Sequence, residues 1–525
     1  MDYTKRAALL CCACYVSLLV LSFIPSQSLF GVEFRRANVL SDLVTFNSDN
    51  IFESVEFEID AEEYAVDLEQ VEQQVEALNS SDPVAGQSFS WNEDPLVDSP
   101  NVEPTAERTV ATTTMLKGIE LVPIEKFDTT ELNSLSKVYR KLLSPDSLVR
   151  IAVLGDSFIE ADILTADLRE SLQSQYGGCG TGFAPVHSAL TQYRKTVNTH
   201  ATGWTSYNIM QHRTTPAPYN SLFSISGWVS LPSSGATTTW KATSAREHLD
   251  SCQCVRLQFL ALNDSAVEVS INGGESRTFD IKGSESLRQI ELRQRNIHSV
   301  TMRVASGAEG FVGYGAYFEG DRGVIVDNYS VRSNNGQAMF WTAAAINAQI
   351  DRSIGGYDLV ILQYGLNILN SGVNIYTSYG TQVEKMINYA HKCFPKAAII
   401  VLGVSDRSTK KNGVYEPMPE AKNLLEQQRA AAENQGVNFW STYSAMQAQG
   451  GMNRFVVNGW AAKDYTHITY AGGRQVAWAL ADAISADVEA ERTKMVVKVE
   501  YGPVISRKSD KKIKRWLSFG EKWIE

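Results

Sequence analysis

A serine, an asparagine, and a histidine preceded three residues earlier by an aspartate have the types and spacing that acyl transfer requires. Ser157 closes an apolar run, "IAVLGDSFIEAD" (151–162), in which the β-formers Ile151, Val153 and Leu154 lead to a Gly-Asp-Ser. A serine nucleophile needs a base, and the base needs a group that orients it. Of the seven histidines, His187, His200 and His212 fall in irregular stretches. His248 and His298 fall in a β-rich region, and His391 follows a helical pattern beside Lys392. Only His467, in "KDYTHITYAGG", has local help: Asp464 can fold back to its Nδ1 and leave Nε2 for Ser157. The developing oxyanion needs donors, which the Ser157 N–H and the Asn367 side-chain amide offer. Each residue also has a plainer reading: a serine or aspartate caps a helix, an Asp-x-x-His is common, and an asparagine after a glycine ends strands.

The surrounding elements favour the chemical reading. "YDLVILQYGLN" and "AAIIVLGVSD" are continuous apolar runs of the kind found in parallel strands. "AMFWTAAAINAQID", "YTSYGTQVEKMINYAHKCF", "PEAKNLLEQQRAAAENQG" and "AGGRQVAWALADAISADVEAE" have helical texture, and "VNFWS" is a short strand. Upstream, Leu132, Leu135, Val138, Tyr139 and Leu142 recur at helical spacing. Strand and helix alternate, which predicts an α/β fold with a parallel sheet covered on both faces. Ligands bind such sheets at the C-terminal strand ends, where Gly155-Asp156-Ser157, Gly365-Leu366-Asn367 and Ser405-Asp406 all fall. Between about Ser221 and Phe318 the texture changes to short runs rich in Val, Ile, Phe, Thr and Trp. With the hairpin signal "NGGES" (272–276), this predicts an all-β sandwich interrupting the α/β part.

"GDSF", "GLN" and "DYTH", in this order, resemble blocks I, III and V of the SGNH (GDSL-type) hydrolase superfamily. The resemblance covers 146–215 and 320–490. It implies a flavodoxin-like three-layer fold with Ser157 as nucleophile, His467 as base and Asp464 as its orienter. It also implies Asn367 and the Ser157 N–H as oxyanion donors. The family's block II glycine, a further backbone donor, falls in "VDNYSVRSNNG" (326–336). There Arg332-Ser333 stands where related exported esterases often read Arg-Gly, so Ser333 takes that role, with Gly336 as the alternative. Phe158 replaces the usual leucine after the serine. The finer resemblance is to exported bacterial esterases that remove O-acetyl groups from peptidoglycan or other glycans and carry a carbohydrate-binding-like β-sandwich.

The net charge of −11 is uneven: Ala37 to Glu107 holds 18 acidic and no basic residues, so removing it leaves +7. With 44% hydrophobic residues the chain can bury a large core, and no zinc spacing or basic stripe points to nucleic acid. Lys5 and Arg6 precede an apolar run, Ala7 to Pro25, that reads as a signal peptide or signal anchor. It predicts export to the periplasm or cell envelope, with membrane contact through that segment. Residues 1–30 are this signal, 31–120 an acidic, largely disordered linker, and 121–220 the first hydrolase part. Residues 221–320 are the sandwich, 321–490 the second hydrolase part, and 491–525 a basic amphipathic tail. In the linker, Glu53 to Leu78 has helical apolar content but no cap or basic partner. Cys179, Cys252, Cys254 and Cys393 read as small buried hydrophobes. Trp228, Trp240, Tyr314 and Tyr317 read as core before sugar-stacking groups. The expected activity is hydrolysis of O-acyl, chiefly O-acetyl, esters on an envelope or extracellular glycan, with no metal or organic cofactor. Two alternatives are a glycan O-acetyltransferase on the same site and a glycan-binding protein with a relic hydrolase fold.

Overall fold

The computed structural model describes residues 27–29, 32–34, 66–80, 88–92, 114–128, 133–373 and 375–501. The chain divides into two units, Met1–Glu63 and Tyr64–Glu525. In the first, Gln27–Leu29 pairs antiparallel with Val32–Phe34. The apolar run 7–25 and the basic tail beyond Tyr501 lie outside the described residues, among which no helix is long and apolar enough to cross a membrane.

In the second unit the apolar runs become five parallel strands: β1 (Leu148–Gly155), β2 (Gly323–Ser330), β3 (Leu359–Gln363), β4 (Ala398–Gly403) and β5 (Asn438–Ser441). Their order is β2-β1-β3-β4-β5, the flavodoxin-like arrangement. Side chains alternate between faces along a strand. Ile151, Val153, Ile361 and Ile400 therefore enter one core, with Leu135, Leu168, Phe455 and Leu480. Ala152, Leu154, Val360, Leu362 and Val401 enter another, with Ile350, Met386, Ile387 and Leu424. Helices Leu135–Leu143, Thr165–Tyr176 and Tyr470–Tyr501 cover the first face. Helices Ala344–Ser353, Thr377–Cys393 and Glu420–Asn434 cover the second. The register aligns Gly155 with Ser330 on one side and Gln363 on the other. A Cβ at Gly155 would meet the Gln363 carbonyl oxygen at 2.8 Å and Ile159 at 2.9 Å, so only glycine lets the next loop turn so closely over β3.

A ten-stranded, mainly antiparallel sheet holds the β-rich region. "NGGES" is a hairpin tip there, between the paired strands Ser265–Ile271 and Arg277–Ile281. Strands Gly182–Pro185 and Val197–Asn208 also join this sheet, although they precede the expected start at 221. Part of the acidic segment joins it too. Ser88–Asn92 pairs parallel with Ser284–Ile297 and buries Trp91, while Phe89 and Trp91 pack on Phe279. Leu68–Ser80 is a helix whose Val71 is buried in the second core. The cap and basic partner missing from the sequence pattern come from Asp67 and from a distant lysine. Asp67 Oδ1 accepts the Glu69 and Gln70 N–H groups at 3.0 Å each, and Lys392 pairs with Glu72. The Met115 and Leu116 N–H groups donate to Asp482, at 2.8 and 3.0 Å. These pieces of 31–120 are therefore ordered, because packing and long-range ion pairs supply what local sequence lacks.

Buried polar groups join the two sheets. Arg150 on β1 makes a bidentate pair with Glu319 at 2.6 and 2.7 Å, and Arg256 Nε donates to the same carboxylate at 3.1 Å. Asp327 on β2 accepts the Phe183 N–H at 2.6 Å and the Tyr357 hydroxyl at 2.7 Å. Removing one partner of a buried pair leaves a desolvated charge behind. Glu319→Ala is expected to lower the unfolding free energy by about 3–5 kcal/mol, read as a lower urea midpoint with an unchanged m-value.

Candidate active site

The loop after β1 is held by its own aspartates. Asp156 Oδ1 accepts the Phe158 N–H at 2.9 Å, and the Glu160 N–H reaches the Ser157 carbonyl at 3.4 Å. This tight turn leaves the Ser157 N–H and Oγ without hydrogen-bond partners among the described residues. Ala161 and Asp162 follow in left-handed conformation, φ 47° and 66°. Asp162 is buried between Arg169 (3.3 Å) and Arg194 (2.9 Å), and also accepts the Thr165 and Thr196 hydroxyls. Burial raises its carboxyl pKa, but the arginines and hydroxyls outweigh that and hold it well below the ordinary carboxylate range. The Ser157 turn is thus tied down four or five residues further on.

Beside it, Val331 follows the last residue of β2, and its N–H donates to the Gly155 carbonyl at 3.0 Å. Arg332 forms a bidentate pair with Glu160, at 2.9 and 2.6 Å. Ser333 follows with φ 60°, the conformation glycine adopts freely and a residue with a Cβ adopts at a cost of about 1 kcal/mol. Ser333 is exposed, and its N–H has no partner among the described residues. The Gly336 N–H is engaged, donating to Asn334 Oδ1 at 2.8 Å. Of the two candidate block II donors, Ser333 is the free one.

From the loop after β3, the Asn367 amide reaches both neighbours. Its Nδ2 donates to Asp156 Oδ2 at 3.1 Å and to the Asn334 carbonyl at 3.0 Å. Both amide hydrogens are therefore occupied in this structure. Burial raises the Asp156 carboxyl to about 7, against the Phe158 N–H, the charge of His467 and the Asn367 amide, all of which favour the carboxylate.

The fourth group comes from the loop before the last helix. Asp464 Oδ2 accepts from His467 Nδ1 at 2.6 Å, while Oδ1 accepts the backbone N–H of Thr466 (2.9 Å) and of His467 (3.0 Å). Nδ1 is therefore the donor, and Nε2 is left for another partner. Burial would raise the Asp464 carboxyl, but the His467 and backbone donors bring it down to about 2. The same side-chain bond raises the His467 pKa, more than burial lowers it. Tyr465, at φ 57°, stacks on Tyr415 of the hairpin Ser408–Pro417 with ring centroids 3.6 Å apart, and its carbonyl accepts the Ser408 N–H at 3.1 Å.

Two contacts bring this loop to the serine. The Tyr470 hydroxyl donates to the Ala161 carbonyl at 3.3 Å and the Tyr193 carbonyl at 2.8 Å. Gly473 lies so close under the loop that a Cβ would stand 1.9 Å from the Ile163 carbonyl oxygen. His467 feels the charges of Arg332 and Asp156. Ser157 and His467 share no hydrogen bond among the described residues; such bonds often tighten only when substrate is present.

Of the aromatic candidates three are core residues. Trp240, Tyr314 and Tyr317 are fully buried, and Trp228 lines a cavity of about 40 Å³ with Ala161, Asn328 and Ser330. Cys252, Cys254 and Cys393 are buried, Cys179 is half-buried, and all four are free thiols. The sequence pattern gave no role to Asn334 or Glu160, although both lie inside quoted stretches, and did not point to Tyr415.

No family model and no curated protein sequence matches the chain. Among solved structures, a peptidoglycan O-acetylesterase is similar over 70% of this chain and 99% of its own, at 22% identity and a TM-score of 0.57. A family two carbohydrate esterase from Cellvibrio japonicus covers 57% of this chain and 99% of its own, at 9% identity and a TM-score of 0.22. A GDSL-like lipase from Parabacteroides merdae covers 31% and 74%, at 14% identity and a TM-score of 0.24. The chain has an SGNH hydrolase-type fold.

The four residues expected from the sequence, Ser157, Ser333, Asn367 and His467, all lie in the loops described here, with serine standing where the family resemblance implies a glycine. Ser333→Gly is expected to keep the site working and to leave stability unchanged or raised by up to about 1 kcal/mol, measured by urea unfolding. A base must be neutral to accept a proton, so with His467 as the base the acidic limb of kcat/KM is expected above the ordinary histidine value of about 6.5. Asp464→Asn is expected to shift that limb to lower pH and to reduce kcat, both read from one pH–rate series.

Proposed function

We propose that the chain is an exported serine esterase that hydrolyses O-acyl, chiefly O-acetyl, esters on a cell-envelope or extracellular glycan. The observation that supports this reading is that the loops after β1, β2 and β3 offer an unpartnered serine, a free backbone N–H and an asparagine amide, while an aspartate-oriented histidine feels the charge of Asp156 beside the serine. Similarity in fold to a peptidoglycan O-acetylesterase supports the choice of substrate class.

In this mechanism Ser157 Oγ attacks the ester carbonyl carbon while His467 Nε2 takes its proton. Asp464 stabilises the resulting imidazolium through Nδ1. The tetrahedral oxyanion accepts from the N–H groups of Ser157 and Ser333 and from Asn367 Nδ2. Collapse breaks the bond to the glycan oxygen, which leaves with the proton held on Nε2, and the acyl group stays on Ser157. A water then gives its proton to His467 and attacks the acyl carbon, releasing the carboxylic acid and restoring the serine. The antiparallel sheet acts here as a carbohydrate-binding-like module that presents the glycan. The basic-then-apolar N-terminal sequence supports export and contact with the membrane.

The test is acetate released from O-acetylated peptidoglycan and from O-acetylated polysaccharides. Ser157→Ala is expected to lower release at least about 10³-fold, with an unchanged circular dichroism spectrum. Undiminished release by that variant ends the proposal. Failure of a fluorophosphonate to label Ser157 in the folded protein would point instead to a relic site.

A further inference from the structure

We propose that Arg332 and Glu160 form a positioning pair that holds two oxyanion donors, the N–H groups of Ser157 and Ser333, at a fixed mutual spacing. The inference rests on the serine-esterase reading of the same site.

Glu160 is three residues beyond the nucleophile and belongs to its turn, because its own N–H closes on the Ser157 carbonyl. Its side chain is largely buried, and both carboxylate oxygens accept from Arg332, at 2.9 Å from Nε and 2.6 Å from Nη2. Arg332 immediately precedes Ser333, whose left-handed backbone must be imposed from outside. A two-point, charge-assisted fork fixes orientation as well as distance. It thus ties the residue before one donor to the turn that presents the other.

Ser333 is clamped from its far side as well. The carbonyl of the next residue, Asn334, accepts from Asn367, whose second amide hydrogen reaches Asp156 beside the nucleophile. When an oxyanion takes the Asn367 hydrogen away from the Asn334 carbonyl, this second clamp loosens. The Arg332–Glu160 fork then remains to hold Ser333, at the moment when its N–H is needed. Lysine at 332 would supply the charge without the fork.

The experiment uses the full-length chain with p-nitrophenyl acetate, comparing wild type, Arg332→Lys, Arg332→Ala, Glu160→Gln and Ser157→Ala. Active sites are titrated with a fluorophosphonate so that kcat is expressed per competent site, and thermal unfolding is followed in parallel. The three pair variants are expected to lose at least about tenfold in kcat, as misplaced oxyanion donors do, with KM within about twofold of wild type. Affinity for a boronate that mimics the tetrahedral intermediate is expected to fall in proportion to kcat. Wild-type kcat per titrated site in Arg332→Lys overturns the proposal, as does a loss confined to the unfolded fraction. Should Arg332→Ala not fold, Arg332→Lys and Glu160→Gln decide. An active Ser157→Ala removes the esterase reading and this inference with it. An inactive Ser157→Ala beside a fully active Arg332→Lys removes the pairing role alone.

Discussion

Three loops leaving neighbouring parallel strands meet at the side-chain amide of Asn367, which donates to Asp156 after β1 and to the Asn334 carbonyl after β2. Asp156 is fully buried, and a carboxylate in such a place needs donors. It obtains one from the Phe158 N–H in its own turn and one from Asn367 across the sheet edge. Burial nonetheless raises its carboxyl to about 7 against these donors. The positions of the Ser157 turn, the backbone at Asn334 and Asn367 itself are therefore linked by one part-buried hydrogen-bond junction. That junction depends in turn on the 2-1-3 strand order, which brings the ends of β2, β1 and β3 side by side.

The histidine comes from outside this junction, after the fifth strand. Its loop is held by Tyr470 on the Ala161 and Tyr193 carbonyls, Gly473 under Ile163, and Tyr465 stacked on Tyr415. Asp464 comes from the same loop, so the Asp464–His467 pair is built locally. An Asp-x-x-His spacing suits this arrangement, since one carboxylate can cap two backbone N–H groups and still orient the imidazole.

Much of this was legible in the sequence because it depends on local pattern. The strands β1, β3 and β4 are continuous apolar runs, the long helices carry clear apolar spacing, and Ser157, Asn367, Asp464 and His467 sit in short motifs. Local pattern fails where a distant partner decides. The strand character of β2 is masked by Asp327 and Tyr329, polar residues that are buried because Phe183 and Tyr357 satisfy the aspartate. Val197–Asn208 alternates exposed with partly buried residues, and its ladder partner, Trp228–Ala242, is separated from it by short 3₁₀ turns. The helix Leu68–Ser80 looks unsupported in an acidic stretch until Lys392, more than three hundred residues away, meets Glu72. Glu160 lies inside the first motif's flank, but nothing there names Arg332 as its partner.

Between β1 and β2 the chain makes most of the antiparallel sheet, an interruption that begins one helix after the Ser157 turn. One might expect so long an excursion to loosen the turn it leaves from. The contacts argue the reverse. Asp162, which anchors the end of the serine turn, is held by Arg169 of the following helix and by Arg194 and Thr196. These last two lie between strands Gly182–Pro185 and Val197–Asn208, both part of the antiparallel sheet. Arg194 also donates to the Phe183 carbonyl at 2.5 Å, and the Phe183 N–H donates to Asp327 on β2. The excursion therefore returns a buried cation to the loop it came from and a backbone donor to the strand it rejoins. The antiparallel sheet is in this sense part of the support of the serine turn, because Arg194 joins Arg169 in keeping the buried Asp162 carboxylate charged.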